Sequence, residues 1–425
     1  MIEATRIFAN SSLVLLEVDA LTPSLVSGDM VDFSKLTVVD AHCHSYLESP
    51  KTLNDAGFAR YASILSTPPS FLEGKFKPPA DLLQRSKVRL STMDLEQPYV
   101  HLMIRWLAES FHCKPNVESV AKARSARAND FDQYVKELFD DVVLRGLVMD
   151  GGYPALAEED LKRFPAKVVK VFRIETFIND LLKKYHSFSE FCSAYEYGIR
   201  DAVKNGGFVG LKTIIAYRTG LKVRRVEESV AKRDFLEAKE GEARVAWFGP
   251  RVKALRDFLV VRALELCIDL DIPMQIHTGV GDFDILLDQC DPALLYDLLK
   301  DDKLRYATIV LVHSGFPDNQ NAAFMASVLP NVFLDFSLTI PFLNPTSHER
   351  VREMLEIAPS SKVMYASDGF SIPEIFWFSA KVGKRVLEKC FASFAEEKLY
   401  DENEINQKAT QILSENAIQL YRVPK

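Results

Sequence analysis

Asp40-Ala41-His42-Cys43-His44 closes an apolar run that begins at Leu36, and its reading decides the fold. Successive side chains of an extended strand point to opposite faces, so His42 and His44 share a face and aim two imidazoles at one point. That convergence is what a metal ion needs. Later apolar runs also end in ligand-type residues: 273–277 in His277, 308–313 in His313 and 362–368 in Asp368, while 208–212 ends in Lys212. One strand-end histidine carries little information. A series in the order HxH, Lys, His, His, Asp describes a ring of ligands.

Working outward, short Val/Ile/Leu-rich runs recur, each followed by a polar or glycine-containing segment and then a helical pattern. This is the rhythm of β-α units around a parallel sheet. The runs fall at 37–44, 146–152, 167–175, 208–216, 273–279, 308–314, 331–337 and 362–369. Amphipathic stretches lie between them; in 251–270, which starts at Arg251, residues Leu255, Leu259, Val261, Ala263, Leu266 and Leu270 mark one apolar face. Eight units predict an α/β fold, a closed (β/α)8 TIM barrel running as a single unit over 1–425. Roughly a hundred residues separate the first two strands, far more than a barrel loop needs. The segment 45–144 is therefore expected to be an insertion, and its helical patterns at 98–111 and 130–139 predict a helical cap over the C-terminal mouth. The tail from 372, with a last helix at 402–420, is expected to pack against the barrel wall.

Composition excludes several classes. With 48% hydrophobic and 26% charged residues, the chain reads as an ordinary globular protein with a large core. A net charge of -7 argues against a nucleic-acid surface, and the one basic cluster, 222–225, is too short to change that. Six scattered cysteines without a CxxC fit a reducing compartment, so a cytoplasmic location is expected. Glu17 and Asp19 interrupt the apolar run near the start and no 18-residue apolar stretch follows, so neither export nor membrane insertion is indicated. The expected partner is a small-molecule substrate; homo-oligomerisation is plausible for this length, but no sequence feature marks an interface.

Side chains at the C-terminal strand ends of a barrel share one mouth, so His42, His44, Lys212, His277, His313 and Asp368 are expected to gather there. Nitrogen and carboxylate donors suit Zn2+, with Mn2+, Fe2+ or Co2+ as alternatives. Catalytic sites leave one position for water, whose pKa falls toward about 7 on zinc. Asp368 is then the candidate general base and proton carrier.

This ordered set resembles the amidohydrolase superfamily of metal-dependent barrels, over nearly the whole chain. The stretches Phe208-Val209-Gly210-Leu211-Lys212, Ala216-Tyr217-Arg218-Thr219-Gly220-Leu221, Gln275-Ile276-His277-Thr278-Gly279 and Ser367-Asp368-Gly369 are similar to its amidohydrolase-2 branch, in particular to the amidohydrolase-like domain fused to glutamine synthetase in nodulin-type proteins. The resemblance implies a divalent-metal site with His42 and His44 from strand one, His277 from strand five, and Asp368 from strand eight as ligand and base. His313 is either a further ligand or a catalytic group bonding substrate or water. Lys212 is either a carboxylated bridge between two ions or a free cation beside a single ion.

Around this ring, Arg173 and Glu175 close the third run on one side of the strand, as a mouth salt pair or as substrate contacts. Tyr217 and Arg218 follow the fourth run and are further substrate-binding candidates, with Asp150 and Tyr153 lesser ones. His101, His112, His186 and His348 read as core or surface residues. Cys43, opposite its histidine neighbours, reads as a packing thiol. The expected function is metal-dependent hydrolysis of a C–N bond, an amide, in a small carboxylate-bearing substrate by metal-activated water. A decarboxylase, lactonase or isomerase of the same superfamily is the enzymatic alternative. A non-catalytic module working with a glutamine-synthetase-like partner is the other.

Overall fold

The computed structural model describes residues 32–424 apart from 64–66, 153–156, 241–251 and 344–345. The part of the single-barrel expectation that falls on 1–31, and the expectations for Tyr153 and Arg251, lie outside these residues. Eight parallel strands pair in chain order: β1 (Val38–Cys43), β2 (Leu144–Asp150), β3 (Lys167–Arg173), β4 (Phe208–Thr213), β5 (Met274–His277), β6 (Ile309–Val312), β7 (Val332–Asp335) and β8 (Val363–Met364). The last strand returns to the first. Ala41 N donates to Tyr365 O (3.0 Å), Asp368 N to His42 O (3.0 Å) and His44 N to Gly369 O (2.7 Å). The (β/α)8 barrel expected from the strand series is the fold observed. β1, β5, β6 and β8 are buried at every position, as strands covered on both faces require.

The strands stop sooner than their apolar runs suggest. His313 and Asp368 have φ of 68° and 50°, which breaks the pleat at the residues that carry chemistry. β3 stops at Arg173 because α6 begins at Ile174.

The insertion is helical: α1 (Asp55–Ala62), α2 (Ala80–Glu96), α3 (Pro98–Phe111), α4 (Val117–Arg127) and α5 (Phe131–Asp141). Asn54, Asn116 and Asp130 cap α1, α4 and α5, each side chain accepting from the backbone three residues on. The outer helices that follow include α6 (Ile174–Lys184), α7 (Phe188–Lys204), α8 (Glu228–Glu240), α9 (Lys253–Leu270), α10 (Gln320–Val328), α11 (Ser347–Ile357) and α12 (Pro373–Glu396). α5 buries Phe131, Tyr134, Val135, Leu138 and Phe139 and packs against β2 and α12, on the outer wall. The end of α1 reaches the mouth instead, where Arg60 and Tyr61 line the cavity.

The expected last helix is two, α13 (Glu402–Thr410) and α14 (Asn416–Tyr421), joined by a π-helical turn at Gln411–Glu415. That turn offers the Ile412 carbonyl to Tyr365 N (2.9 Å), beside the closing strand. The tail does not simply lie on the wall. Ala417, Tyr421 and Val423 share the core with Val39, Val148, Val171 and Val310. Gln275 of β5 donates to Ala41 O of β1 (2.8 Å), across the barrel, and to the Tyr421 hydroxyl (3.0 Å). Among the described residues no helix is long and apolar enough to cross a membrane. All six cysteines are free thiols.

Candidate metal centre

β1 delivers His42 and His44 to the mouth, and the turn after β8 delivers Asp368 between them. Asp368 Oδ1 lies 3.3 Å from His42 Nε2 and 3.6 Å from His44 Nε2, and one ligand atom from each of the three residues falls within 4.8 Å of the others. Donors held at about 2.0–2.1 Å around a tetrahedral zinc sit roughly 3.3–3.4 Å apart, so this spacing fits an ion. Lys212, wholly buried at the end of β4, places Nζ 3.2 Å from His42 Nε2. His277 Nδ1 and His313 Nε2 are 3.1 Å apart, and His313 Nε2 is 4.0 Å from Asp368 Oδ2. All six expected ligand-type residues therefore meet at one mouth.

Electrostatics keep these groups ready for a cation. Burial, reinforced by Lys212 for His42 and by His277 and Lys212 for His313, holds both imidazoles well below their ordinary pKa, and His277 behaves likewise. Neutral imidazoles keep a lone pair for a metal. His42 Nδ1, on the far side of the ring from Asp368, is buried without a hydrogen-bond partner among the described residues. Burial also lowers Lys212, to about 8, against the pull of Asp150.

Residues behind the ring fix it, although no local sequence pattern marks them for that role. Asp40 Oδ1 accepts from His42 N (3.3 Å) and Ser367 N (2.9 Å), and Oδ2 accepts from the Ser367 hydroxyl, so it ties the first ligand strand to the last ligand turn. Burial raises Asp40 to about 7 although its hydrogen bonds oppose the shift. Behind His313, Nδ1 meets Ser337 Oγ (2.7 Å), whose hydroxyl donates to Asp335 Oδ1 (2.5 Å). Asp335 also accepts from His313 N (3.2 Å).

The cavity over the centre holds about 630 Å³, within the range of small-molecule sites. Arg173, Tyr217 and Arg218 line it as expected, together with Asp282 and, unforeseen in the sequence, Arg60 and Asp284. Tyr217 packs against His277 with ring centroids 4.6 Å apart and the rings tilted by 59°, and accepts from Asp282 N (3.0 Å). Arg218 lies 3.9 Å from Asp284. Two expectations need correction. Glu175 does not reach the cavity: it sits in the first turn of α6 and accepts from Thr213 Oγ1 (2.5 Å) and Ile214 N (2.9 Å). It is therefore neither a substrate contact nor Arg173's partner. That partner is Asp150, whose Oδ2 accepts from Arg173 Nε (2.9 Å) and Nη2 (2.6 Å), which makes Asp150 a brace rather than a substrate contact.

A barrel with a histidine and carboxylate cluster at its C-terminal mouth defines a class of metal-binding (β/α)8 proteins. The Amidohydro_2 amidohydrolase family matches residues 199–423, and the chain belongs to this family. The match contains Lys212, His277, His313 and Asp368 and leaves out the histidine pair of β1. Protein fluG of Emericella nidulans is 34% identical over 247 residues, 56% of this chain. The chain covers 28% of the length of that relative. Among solved structures, a candidate metal-dependent hydrolase of Lactobacillus casei superposes with a TM-score of 0.75 at 24% identity, covering 92% of this chain and 98% of that one. Uronate isomerase of Bacillus halodurans gives 0.62 at 12% identity over 92% and 95%. These two share the fold.

Proposed function

We propose that the protein is a metal-dependent hydrolase that cleaves a C–N bond, an amide, of a small carboxylate-bearing substrate. The observation that carries this is the convergence of His42, His44 and Asp368 within 4.8 Å, at the base of a cavity walled by Arg60, Arg173 and Arg218. His42, His44, His277 and Asp368 would hold a divalent ion, zinc being best matched to these donors. When bound, it would polarise the amide carbonyl and acidify a water molecule.

The remaining work falls to the chain. Asp368 accepts the proton of the attacking water and delivers it to the leaving amine. His313, whose Nδ1–H donates to Ser337 Oγ and through it is fixed by Asp335, would turn the lone pair of Nε2 to the centre, as a further ligand of the ion or as an acceptor from the attacking water. Arg173, braced by Asp150, and Arg218 bind the substrate carboxylate; a guanidinium matches a carboxylate in a two-point fork. The helices of 45–144 act as a cap that closes one side of the cavity through Arg60. The free thiols accord with a cytoplasmic location.

With Nζ 3.2 Å from His42 Nε2, Lys212 would, if carboxylated, bridge two ions, or else stand as a free cation beside a single ion. The single-ion arrangement also serves a decarboxylase or isomerase, which would use Asp368 on a carbon acid rather than on water. A third reading is a module acting beside a glutamine-synthetase-like partner, as in the nodulin-type proteins the sequence resembles. Elemental analysis of chelator-free protein, together with turnover of N-acyl amino acids, separates the three. One ion per chain, retained in Lys212→Ala, with amide turnover lost in Asp368→Asn, is the expected result. Carbon dioxide release from carboxylic acids without amide cleavage would replace the hydrolase with a decarboxylase. A chain free of metal and of turnover would leave the module.

A further inference from the structure

A second cavity, of about 510 Å³, opens away from the metal centre between the first turns of α3, the start of α11 and the middle of α12. Its apolar lining comes from Pro98, Leu102, Val382 and Val386. The cations around it are Arg105, Arg385 and Lys389, spaced so that α12 presents Val382, Arg385, Val386 and Lys389 along one face. His101 and His348 also line it, and Glu96 is the one carboxylate on its rim.

None of these three cations forms an ion pair among the described residues, although most of the described arginines do; Arg385 rests over the Trp106 ring instead, 5.9 Å from its centroid. In a chain of net charge -7, three unpaired cations over one apolar hollow form a local positive field that general solubility does not require. The volume is that of a small-molecule site rather than of a flat protein interface.

We propose that this cavity is a second binding site, for a small organic anion: an apolar body seated on Leu102, Val382 and Val386, with a carboxylate or phosphate ester held by Arg105, Arg385 and Lys389. The site is independent of the reaction at the mouth. α12 connects the two places, since its Ile375 lines the mouth cavity and Arg385 lies ten residues, or roughly 15 Å, further along the helix.

Calorimetric titration of the full chain with 1-naphthoate and with 1-naphthyl phosphate tests this, with inorganic phosphate and 1-naphthol as the head-only and body-only controls. A site on this cavity, distinct from any naphthoate held at the mouth and insensitive to changes there, is expected for the naphthyl anions, the tighter of the two naming the head group, with both controls weaker there by about tenfold or more. Arg385→Gln/Lys389→Gln should weaken the naphthyl anions by about tenfold or more, and Arg105→Gln alone should weaken them measurably. Circular dichroism identifies any variant that fails to fold. Arg218→Gln at the mouth should leave binding at this second cavity unchanged. Binding equal in the rim variants, or lost only in Arg218→Gln, would overturn the proposal. So would inorganic phosphate binding as well as the naphthyl anions. Self-association that sediments as monomer in the double variant, with no naphthyl anion bound, would make this face a contact between copies and overturn the site as well.

Discussion

Arg124 Nε donates to Glu374 Oε1 at 2.7 Å, and neither side chain is exposed to solvent. Arg124 comes from α4 of the insertion, and Glu374 stands six residues after Asp368. The same guanidinium donates to Ser49 Oγ and to the Lys51 carbonyl (2.9 Å each) and to the Pro50 carbonyl, while Tyr134 donates to Glu374 Oε1 (2.7 Å). One arginine thus braces the segment that leaves His44 and the segment that leaves Asp368.

Replacing Arg124 by Met should therefore destabilise the chain by about 3–5 kcal/mol, because Glu374 would be left buried and unpaired. Pairing it with Glu374→Met should recover part of that loss. Urea denaturation of the two single variants and the double checks this; a double variant equal to the sum of the singles would mean that the residues do not act as a pair.

Removing the metal should lower the melting temperature, and restoring zinc at a hundred times its dissociation constant should return about 2.7 kcal/mol. Chelator-treated protein followed by calorimetry measures the change. His42→Ala should melt at the same temperature with and without zinc, since one of the converging donors is then missing.

Ser337→Ala should lower kcat/KM by about tenfold or more while leaving the far-ultraviolet spectrum unchanged, because His313 loses the hydroxyl that joins it to Asp335. Steady-state kinetics on the N-acyl amino acid that turns over gives the number. An unaltered rate would remove His313 orientation from the catalytic account.

Acid should weaken the Asp150–Arg173 brace. Burial alone would raise Asp150, but the guanidinium of Arg173, with help from His44 and Lys212, outweighs it and holds the carboxyl well below its usual range. A carboxyl depressed in the folded state adds stability that is full above its unfolded pKa of about 3.9 and is lost as the pH falls through its folded value. Asp150→Asn should therefore cost about 3–5 kcal/mol at pH 7 and less at pH 3. Urea midpoints at the two pH values decide it; a cost that grows on acidification would contradict the depressed carboxyl.

The ligand ring was legible because each member ends an apolar run, and HxH on a strand has one geometric meaning. The barrel followed from the same periodicity. The errors cluster where the chain leaves a strand. Glu175 seemed to share Arg173's side only while the pleat was assumed to continue, and α6 starts between them. The braces were not legible at all: Arg124 and Glu374 lie 250 residues apart, and Asp40 and Ser367 lie 327 apart. No local pattern announces such partners, since each is chosen by the closing of the barrel. Arg60 reaches the mouth from an insertion whose helices repeat no barrel rhythm.

The seam where β1 meets the turn after β8 is also a clock. His42 leaves a ribosome more than three hundred residues before Asp368, which at about 5–20 residues per second is tens of seconds of synthesis. For that interval the nascent chain carries the histidine pair without the carboxylate that completes it. If the proposed centre holds its ion through these residues, neither half of the protein would hold it alone, and loading would be one of the last events in its making. On the same reading, a message cut short anywhere before the final strand would yield a polypeptide that competes for a divalent ion only as weakly as scattered histidines do.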